Sequence, residues 1–151
     1  MKKVLIITDE KKSSYNQCDS LLHYLKEKVK FKIEYLRIER EFIHNLPNSA
    51  IYVYLFVRSF FKKDENKRPD IIISCGRISA PYSLLFKKLN KECKIFHILD
   101  PYFLRSYFDK ILIPSHDFYK FSNYRNVLEF LGTLVSKKKL LNEELNRYKE
   151  L

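Results

Sequence analysis

The stretch from Pro69 to Asp100 limits the possible folds of this chain more than any other part of the sequence. It begins with residues 71–74, a short run of mainly β-branched residues that is typical of a strand buried on both faces of a sheet. Gly76, one of two glycines in the chain, follows that run, and a helical pattern then leads to a second apolar strand over residues 94–99. Two strands joined through a helix predict a βαβ unit, whose crossover is almost always right-handed.

The loop at Gly76 is predicted to lie at a binding site. In a βαβ unit this loop follows the carboxyl end of a parallel strand, where open α/β sheets bind ligands, and precedes a helix, whose free N–H groups attract anions. Ser79 stands where the N-cap of that helix belongs, and Pro81 lies in its first turn. Arg77 has no evident structural role in the sequence, so it is the best candidate for an anion contact.

The rest of the chain continues the alternation of strands and helices. We expect further strands over residues 3–7, 31–38, 110–113 and 126–131, and helices over residues 16–29 and 48–63 and after Ser136. Ser49 is a candidate cap for the helix over residues 48–63, and residues 115–117 are expected to form a loop. The pattern predicts a single α/β domain over residues 1–151, with a three-layer Rossmann-like fold and a mainly parallel sheet.

The composition narrows the classes of function. The formal net charge of +11 over 151 residues reflects either solubility or attraction to a polyanion, such as a nucleotide phosphate or an anionic membrane surface. The chain has no recognisable nucleic-acid-binding motif, so no nucleic acid partner is expected. Two glycines cannot form a glycine-rich phosphate loop, and the G-x-S-x-G, Walker and G-x-G-x-x-G motifs are absent from the sequence.

The three cysteines, Cys18, Cys75 and Cys93, form no C-x-x-C pair, which argues against a metal site and against a disulfide framework. A reducing compartment suits them best, so we expect a cytoplasmic protein that associates with a membrane at its surface or not at all. The longest apolar run, residues 50–57, is well short of the roughly 20 residues that cross a bilayer. No metal ion or other cofactor is expected.

Polar residues follow the predicted strands, and the carboxyl ends of the strands in a doubly wound sheet meet at one edge. Asp9, Asp100 and the pair His116 and Asp117 stand at such strand ends. Asp117 beside His116 is an arrangement that can orient an imidazole as a general base. His97 lies inside an apolar strand and is more typical of a hydrogen-bonded core histidine than of a catalytic one.

The predicted helix over residues 48–63 is rich in aromatic side chains and carries Arg58, Lys62 and Lys63 near its end. One interpretation is a helix packed in the core, with a basic end that complements the helix dipole. The other is a surface helix that inserts its aromatic side chains into a bilayer beside a cationic rim.

Five segments together resemble the elongated-mitochondria (mitochondrial fission) family, which plants share with many bacteria and whose bacterial members are classed with glycosyltransferases of the GT-B type. The segments are TDEKKSSYNQ, PDIIISCGRISAP, HILDP, FDKILIPSHD and NVLEFLGTL. The matching positions are Thr8, Asp9, Asn16, Gln17, Gly76, Arg77, Ser79, Ala80, Pro81, Asp100, Pro101, Asp109, Pro114, His116, Asp117, Gly132 and Leu134. This chain departs from the family at Glu10 and Ser13, where small residues are usual, and at Val135 and Ser136.

The resemblance implies the amino-terminal, acceptor-side half of a GT-B enzyme, without the second GT-B domain, acting on a nucleotide-sugar together with a partner half. Asp9, or His116 oriented by Asp117, would then be the general base on an acceptor hydroxyl. The ligand-binding residues it implies are Gly76, Arg77, Ser79, Asp100, Gly132 and Thr133. Two alternatives are a non-catalytic adaptor that binds a partner protein or an anionic membrane surface, and a truncated, inactive reading frame.

Overall fold

The computed structural model of the protein describes residues 2–26, 30–61, 68–121, 123–132 and 134. Strands in this part of the chain are β1 (Lys2–Asp9), β2 (Phe31–Ile38), β3 (Ile71–Cys75), β4 (Lys94–Ile98), β5 (Lys110–Pro114) and β6 (Val127–Phe130). Helices are α1 (Lys12–Lys26), α2 (Asn48–Phe61), α3 (Ser79–Leu89) and the short α4 (Ser115–Phe118). Three 3-10 turns cover Phe42–Asn45, Arg105–Tyr107 and Tyr119–Phe121.

The six strands form one sheet in the order β2-β1-β3-β4-β5-β6, and every neighbouring pair is parallel. The predicted α/β fold with a mainly parallel sheet is therefore confirmed. The chain passes from β1 to β2 on one side and returns to place β3 on the other side of β1. This reversal is the topological switch point of the sheet, where ligands bind in open α/β folds.

Alternating side chains of the central strands fill two separate cores. Leu5 and Ile72 point to the face that α3 covers, and Val4 and Ile73 point to the face that α1 covers. Helix α2 packs against α3 on the first side. Both faces of β1 and β3 are consequently apolar and buried, which explains the continuous apolar runs in their sequences.

His97 lies on the α3 side of β4 and has no exposed surface, as predicted for a core histidine. Its Nδ1 atom lies 2.8 Å from the hydroxyl of Ser74, and its ring contacts Phe108. Its Nε2 atom has no hydrogen-bond partner among the described residues. Burial disfavours the imidazolium and lowers the pKa of His97 to about 3, against a weak opposing effect of Asp100.

Two predicted helix caps are wrong. Helix α3 already includes Ser79, whose hydroxyl lies 2.9 Å from the carbonyl oxygen of Cys75 and 2.8 Å from that of Gly76, so it reaches back to carbonyl groups and caps no N–H. Helix α2 begins at Asn48, one residue before the predicted cap Ser49, and the Asn48 side chain bonds to distant loops.

Other differences concern the lengths of elements. Helix α1 begins at Lys12, four residues earlier than predicted, and residues 115–117 are helical where a loop was expected. The predicted end of α1 at residues 27–29, Thr133 and the helix expected after Ser136 lie outside the described residues. The assignment of residues 1–151 to one domain stays a prediction. Within the described ranges, no helix combines the length and the apolar character that crossing a bilayer requires.

Candidate functional site

A cavity of about 580 Å³ opens at the carboxyl edge of the sheet, where the loops after β1, β3, β4 and β5 meet. Of the predicted site residues, the lining includes Asp9, Gly76, Arg77, Asp100 and Asp117. The expected convergence of these strand-end residues is therefore confirmed, whereas the chemical roles assigned to them stay predictions. The remaining lining residues are Glu10, Lys11, Ser13, Ser14, Gln17, Arg40, Ile78, Leu99, Tyr102, Ile113, Pro114, Lys120 and Phe121.

Asp9 and Gly76 face each other across the switch point. One carboxylate oxygen of Asp9, Oδ1, accepts the backbone N–H of Lys11 at 3.2 Å, which fixes the turn after β1. A Cβ atom added at Gly76 would lie 3.6 Å from Oδ2 of Asp9 and 3.6 Å from Oγ of Ser14. Gly76 has φ of +84°, a conformation that other residues adopt only with strain, as its position in the sequence predicted.

Arg77 has a structural role, and the prediction that it has none is wrong. Its Nη1 donates to the carbonyl oxygen of Leu46 and to Oδ1 of Asn48, both at 3.1 Å, and its Nη2 donates to the carbonyl oxygen of His44. These bonds use three of the five N–H donors of the guanidinium group. Arg77 thus joins the loop after β3 to the segment before α2 while it also lines the cavity.

The amino end of α3 does not offer the free N–H groups expected there. The N–H of Ser79 donates to the carbonyl oxygen of Gly76 at 3.3 Å, and the N–H of Ala80 donates to that of Arg77 at 3.4 Å. Pro81 has no N–H to donate. Ser79 itself is fully buried and is absent from the cavity lining among the described residues. The N–H groups of Ser79 and Ala80 are therefore not available to a ligand in the cavity.

Asp100 lines the cavity, but both of its carboxylate oxygens already accept hydrogen bonds from this chain. Its two carboxylate oxygens accept bonds from Nε and Nη2 of Arg105, each at 2.8 Å, and Oδ1 also accepts the backbone N–H of Tyr102 at 2.9 Å. The bond to Asp100 raises the pKa of Arg105. This bidentate pair closes a short loop between β4 and the 3-10 turn Arg105–Tyr107.

The same loop holds three non-glycine residues at positive φ: Leu99 at 72°, Tyr102 at 54° and Leu104 at 43°. Each such residue costs on the order of 1–3 kcal/mol, and such strain is concentrated at functional sites in proteins. Leu99 and Tyr102 both line the cavity. The strained loop is thus a second feature, besides the cavity, that makes this edge of the sheet a candidate functional site.

His116 and Asp117 are close to each other but differ in their relation to the cavity. Nε2 of His116 lies 3.5 Å from Oδ2 of Asp117, and Nζ of Lys120 lies 2.6 Å from Oδ1. The hydrogen bond from Lys120 lowers the pKa of Asp117, and His116 contributes a smaller effect. Asp117 lines the cavity, whereas the imidazole of His116 is 75% exposed and is not part of the described lining. The structure does not bring His116 to the position predicted for a general base.

Gly132, with φ of +69°, is exposed and is not part of the described lining either, and among the described residues beyond its chain neighbours no atom lies within 4 Å of a Cβ added there. Thr133 lies outside the described residues.

The sequence analysis did not predict four charged or aromatic residues of the lining, which are Lys11, Arg40, Tyr102 and Lys120. The three cationic side chains follow β1, β2 and β5, so their positions after predicted strands would have allowed them to be predicted as lining residues. Nothing in the sequence indicates that Tyr102 faces the cavity. The described residues include no cluster of three or more His, Cys, Asp or Glu side chains that could hold a metal ion.

Comparison with known proteins adds a family relationship. The sequence model of a family described as "Mitochondrial fission ELM1" matches residues 14–150. An uncharacterized protein of Rickettsia prowazekii (strain Madrid E) is 26% identical over 118 residues, which cover 76% of this chain. The matched region is 32% of the relative's length, so the chain spans about a third of this curated relative.

Proposed function

The chain belongs to the mitochondrial fission ELM1 family, and from that premise we propose that its cavity binds a phosphate-bearing ligand in a glycosyl transfer. The ligand is the nucleotide-sugar donor or a phosphate-linked acceptor. The observation that carries the proposal is the set of four cationic side chains among the described residues of the lining, together with the carboxylate of Asp9. These cations are Lys11, Arg40, Arg77 and Lys120.

Individual cations and the size of the cavity support this proposal. The lining also holds four carboxylates, Asp9, Glu10, Asp100 and Asp117, so its formal charge is balanced and the support comes from contacts of single side chains. Lysine and arginine bind phosphate oxygens through charge-assisted hydrogen bonds, which are about twice as strong as neutral ones. Small-molecule pockets range from about 300 to 1,000 Å³, and a cavity of about 580 Å³ is large enough for a nucleotide. Its position at the switch point is where open α/β sheets bind nucleotides.

Asp9 is the proposed general base of the transfer. The acceptor oxygen forms a bond to the anomeric carbon of the sugar, the bond from that carbon to the phosphate oxygen breaks, and the nucleoside diphosphate leaves with the bonding electrons. The acceptor proton passes to Asp9. Asp9 suits this role because the N–H of Lys11 holds its Oδ1, while its Oδ2 lies beside Gly76 at the cavity wall. The lining also holds the carboxylate of Asp117, and its contact with Lys120 favours an electrostatic role over proton transfer.

A second Rossmann-like half is part of the proposal, because a GT-B enzyme binds its two substrates between two domains. The chain spans about a third of the curated relative described above, and we propose that a separate chain or a longer form of this protein supplies the second half. The competing function is a non-catalytic adaptor that binds a partner protein. The internal bonds of Arg77 and Asp100 favour the adaptor, because they occupy groups that a catalytic site would use.

The proposal is tested by isothermal titration of the chain with inorganic phosphate, UDP, GDP and their sugar conjugates, in low salt. Arg40→Gln removes a cation of the lining whose described contact is one long bond to the exposed Asn45. Lys91→Gln removes the same charge just before β4, at the opposite edge of the sheet. We expect Arg40→Gln to weaken nucleotide binding about tenfold or more, as for a lost charge-assisted bond, and Lys91→Gln to leave it unchanged.

Two outcomes would overturn the proposal: no heat of binding with any of these ligands at millimolar concentration, or equal weakening by the two variants. Equal weakening would indicate nonspecific attraction by the net charge of the chain. Binding that depends on Arg40, without transfer to any acceptor when the second half is supplied, would favour the adaptor.

A further inference from the structure

Helix α2 carries apolar side chains on the side that faces solvent. Val53, Tyr54, Val57 and Phe60 form this surface, called here the α2 patch, and Val53, Val57 and Phe60 are 60%, 50% and 72% exposed. The opposite side of the helix, with Ile51 and Leu55, is buried. A helix that is apolar around its circumference is normally enclosed on all sides, so the exposed side of α2 requires its own explanation.

The α2 patch is continuous. Positions 53, 57 and 60 follow the i, i+4, i+7 spacing and therefore lie on one stripe of the helix. The ring of Phe60 packs edge-on against Phe56 at 4.9 Å between centroids, and Phe56 stacks on Tyr52. The stripe is thus the outer edge of an aromatic cluster that extends toward the core.

Cationic groups border the patch. The guanidinium of Arg58 lies 5.9 Å from the centre of the Tyr54 ring, and its Nη1 donates to the Tyr54 hydroxyl at 3.2 Å. Nζ of Lys88, on the neighbouring helix α3, lies 3.7 Å from the centre of the Phe56 ring. The 14 residues of α2 and the 11 of α3 include no aspartate or glutamate, so these cations have no carboxylate partner within the two helices.

We propose that the α2 patch docks on the surface of an anionic phospholipid bilayer. Val53, Val57 and Phe60 enter the boundary between headgroups and acyl chains, and Arg58 and Lys88 bind lipid phosphate groups. An apolar stripe bordered by Arg58 of α2 and Lys88 of α3 matches both the apolar interior and the anionic headgroups of such a surface. A nucleic acid would leave the valines without apolar contacts, and the charges disfavour a second copy of this chain, because they would repel each other across a symmetric contact.

The docking goes beyond the proposed function, because it needs neither the cavity nor a second half. The carboxyl end of α2, with Val57 and Phe60, lies away from the cavity, whereas Asn48 at its amino end bonds to Arg77. Membrane binding and nucleotide binding therefore depend on different residues. This separation allows each proposal to fail without the other.

The experiment is co-sedimentation of the whole chain with vesicles of pure phosphatidylcholine and with vesicles in which roughly 30% of the lipid is phosphatidylserine, an anionic surface of the kind that attracts basic residues. We expect binding to the anionic vesicles that falls steeply between about 0.1 and 0.5 M salt, as screening shortens the range of the charges. Val57→Ser with Phe60→Ser tests the apolar stripe, and Arg58→Gln with Lys88→Gln tests the cations. Leu131→Ser is the apolar control, because Leu131 is 88% exposed and lies far along the chain at the end of β6.

We expect each double variant to lower the vesicle partition coefficient at least tenfold, with unchanged melting temperature, and Leu131→Ser to leave it unchanged. Equal binding to neutral and anionic vesicles, binding that neither double variant lowers, or no binding at all would overturn the proposal. So would a concentration-dependent dimer that Val57→Ser with Phe60→Ser dissociates, because the patch would then be an interface between two copies.

Discussion

Asn48 and Arg77 bond to each other in both directions. The side-chain oxygen of Asn48 accepts a bond from Nη1 of Arg77 at 3.1 Å, and its Nδ2 donates to the backbone carbonyl oxygen of Arg77 at 2.9 Å. The same Nδ2 donates to the carbonyl oxygen of Pro101 at 2.7 Å. One buried amide at the start of α2 therefore ties together the loops that follow β3 and β4, which form two walls of the cavity.

We expect Asn48→Ala to destabilise the protein by about 2–3 kcal/mol, since it leaves two carbonyl groups and part of a guanidinium without their partner. Urea unfolding followed by circular dichroism measures the change. Asn45→Ala is the matched control: Asn45 is exposed, its one described bond is a long contact with Arg40, and its loss should cost less than 0.5 kcal/mol. Equal costs for the two variants would contradict the role of Asn48 as a junction.

The two glycines allow a matched test of the cavity wall. Gly76→Ala and Gly132→Ala both place a side chain at positive φ, with φ of +84° and +69°, so each should cost about 1–2 kcal/mol. Only the methyl group at position 76 would lie beside Asp9 and Ser14. We therefore expect similar losses of stability from both variants, but weaker nucleotide binding from Gly76→Ala alone. Unchanged nucleotide affinity in Gly76→Ala would remove this loop from the binding site.

Asp100 and Arg105 hold a loop that contains three strained residues, so breaking their pair should release that loop. We expect Arg105→Gln to destabilise the protein by about 1.5–3 kcal/mol, because a partly buried bidentate bond to a charged group is lost. Residues 99–104 should then lose protection against hydrogen exchange, which mass spectrometry resolves by segment. Arg68→Gln is the control, because Arg68 is exposed and lies before β3. Equal hydrogen exchange of residues 99–104 in the two variants would contradict the role of the Asp100–Arg105 pair in holding the loop.

His97 should make the fold sensitive to acid. Its pKa is lowered to about 3 in the folded protein, whereas an unfolded histidine titrates near 6.5. The unfolded chain therefore binds an additional proton below about pH 6.5, and stability falls by about 1.4 kcal/mol per pH unit until the pH approaches the folded pKa.

Urea unfolding at pH values from 7 to 4 measures that slope. His97→Gln should reduce the slope by one proton, while Ser74→Ala keeps the titrating ring and should keep the slope, although it removes the partner of Nδ1. An unchanged slope in His97→Gln would mean that other groups account for the acid sensitivity.

Features that depend on neighbours in sequence could be predicted. The run over residues 71–74 reads as a buried strand because every side chain in it is suited to burial, whichever face it occupies. Gly76 was correctly predicted to adopt a conformation unfavourable for other residues. The aromatic helix was correctly expected and is described over Asn48–Phe61, with one side buried and one side exposed, whereas its insertion into a bilayer stays a proposal.

Features that depend on distant partners could not be predicted. Arg77 bonds to residues about 30 positions earlier in the chain, and no local pattern pairs them. The Ser79 hydroxyl bonds to a carbonyl oxygen and does not cap a helix N–H group, because α3 starts one residue earlier than the pattern suggested. His116 was expected at the cavity because it follows the end of a predicted strand, but of the pair His116 and Asp117 only Asp117 is part of the described lining.

The sequence alone determined the α/β alternation, the parallel sheet and the edge of that sheet at which polar residues gather. These follow from the periodicity of apolar side chains and from the short range of backbone preferences. Only the tertiary structure decided which of those polar groups remain available to a ligand. Hydrogen bonds to a segment about 30 residues earlier in the chain engage Arg77, and Asp100 pairs with Arg105 because the loop between them turns back. A bond is decided by distance in space, which separation along the chain does not specify.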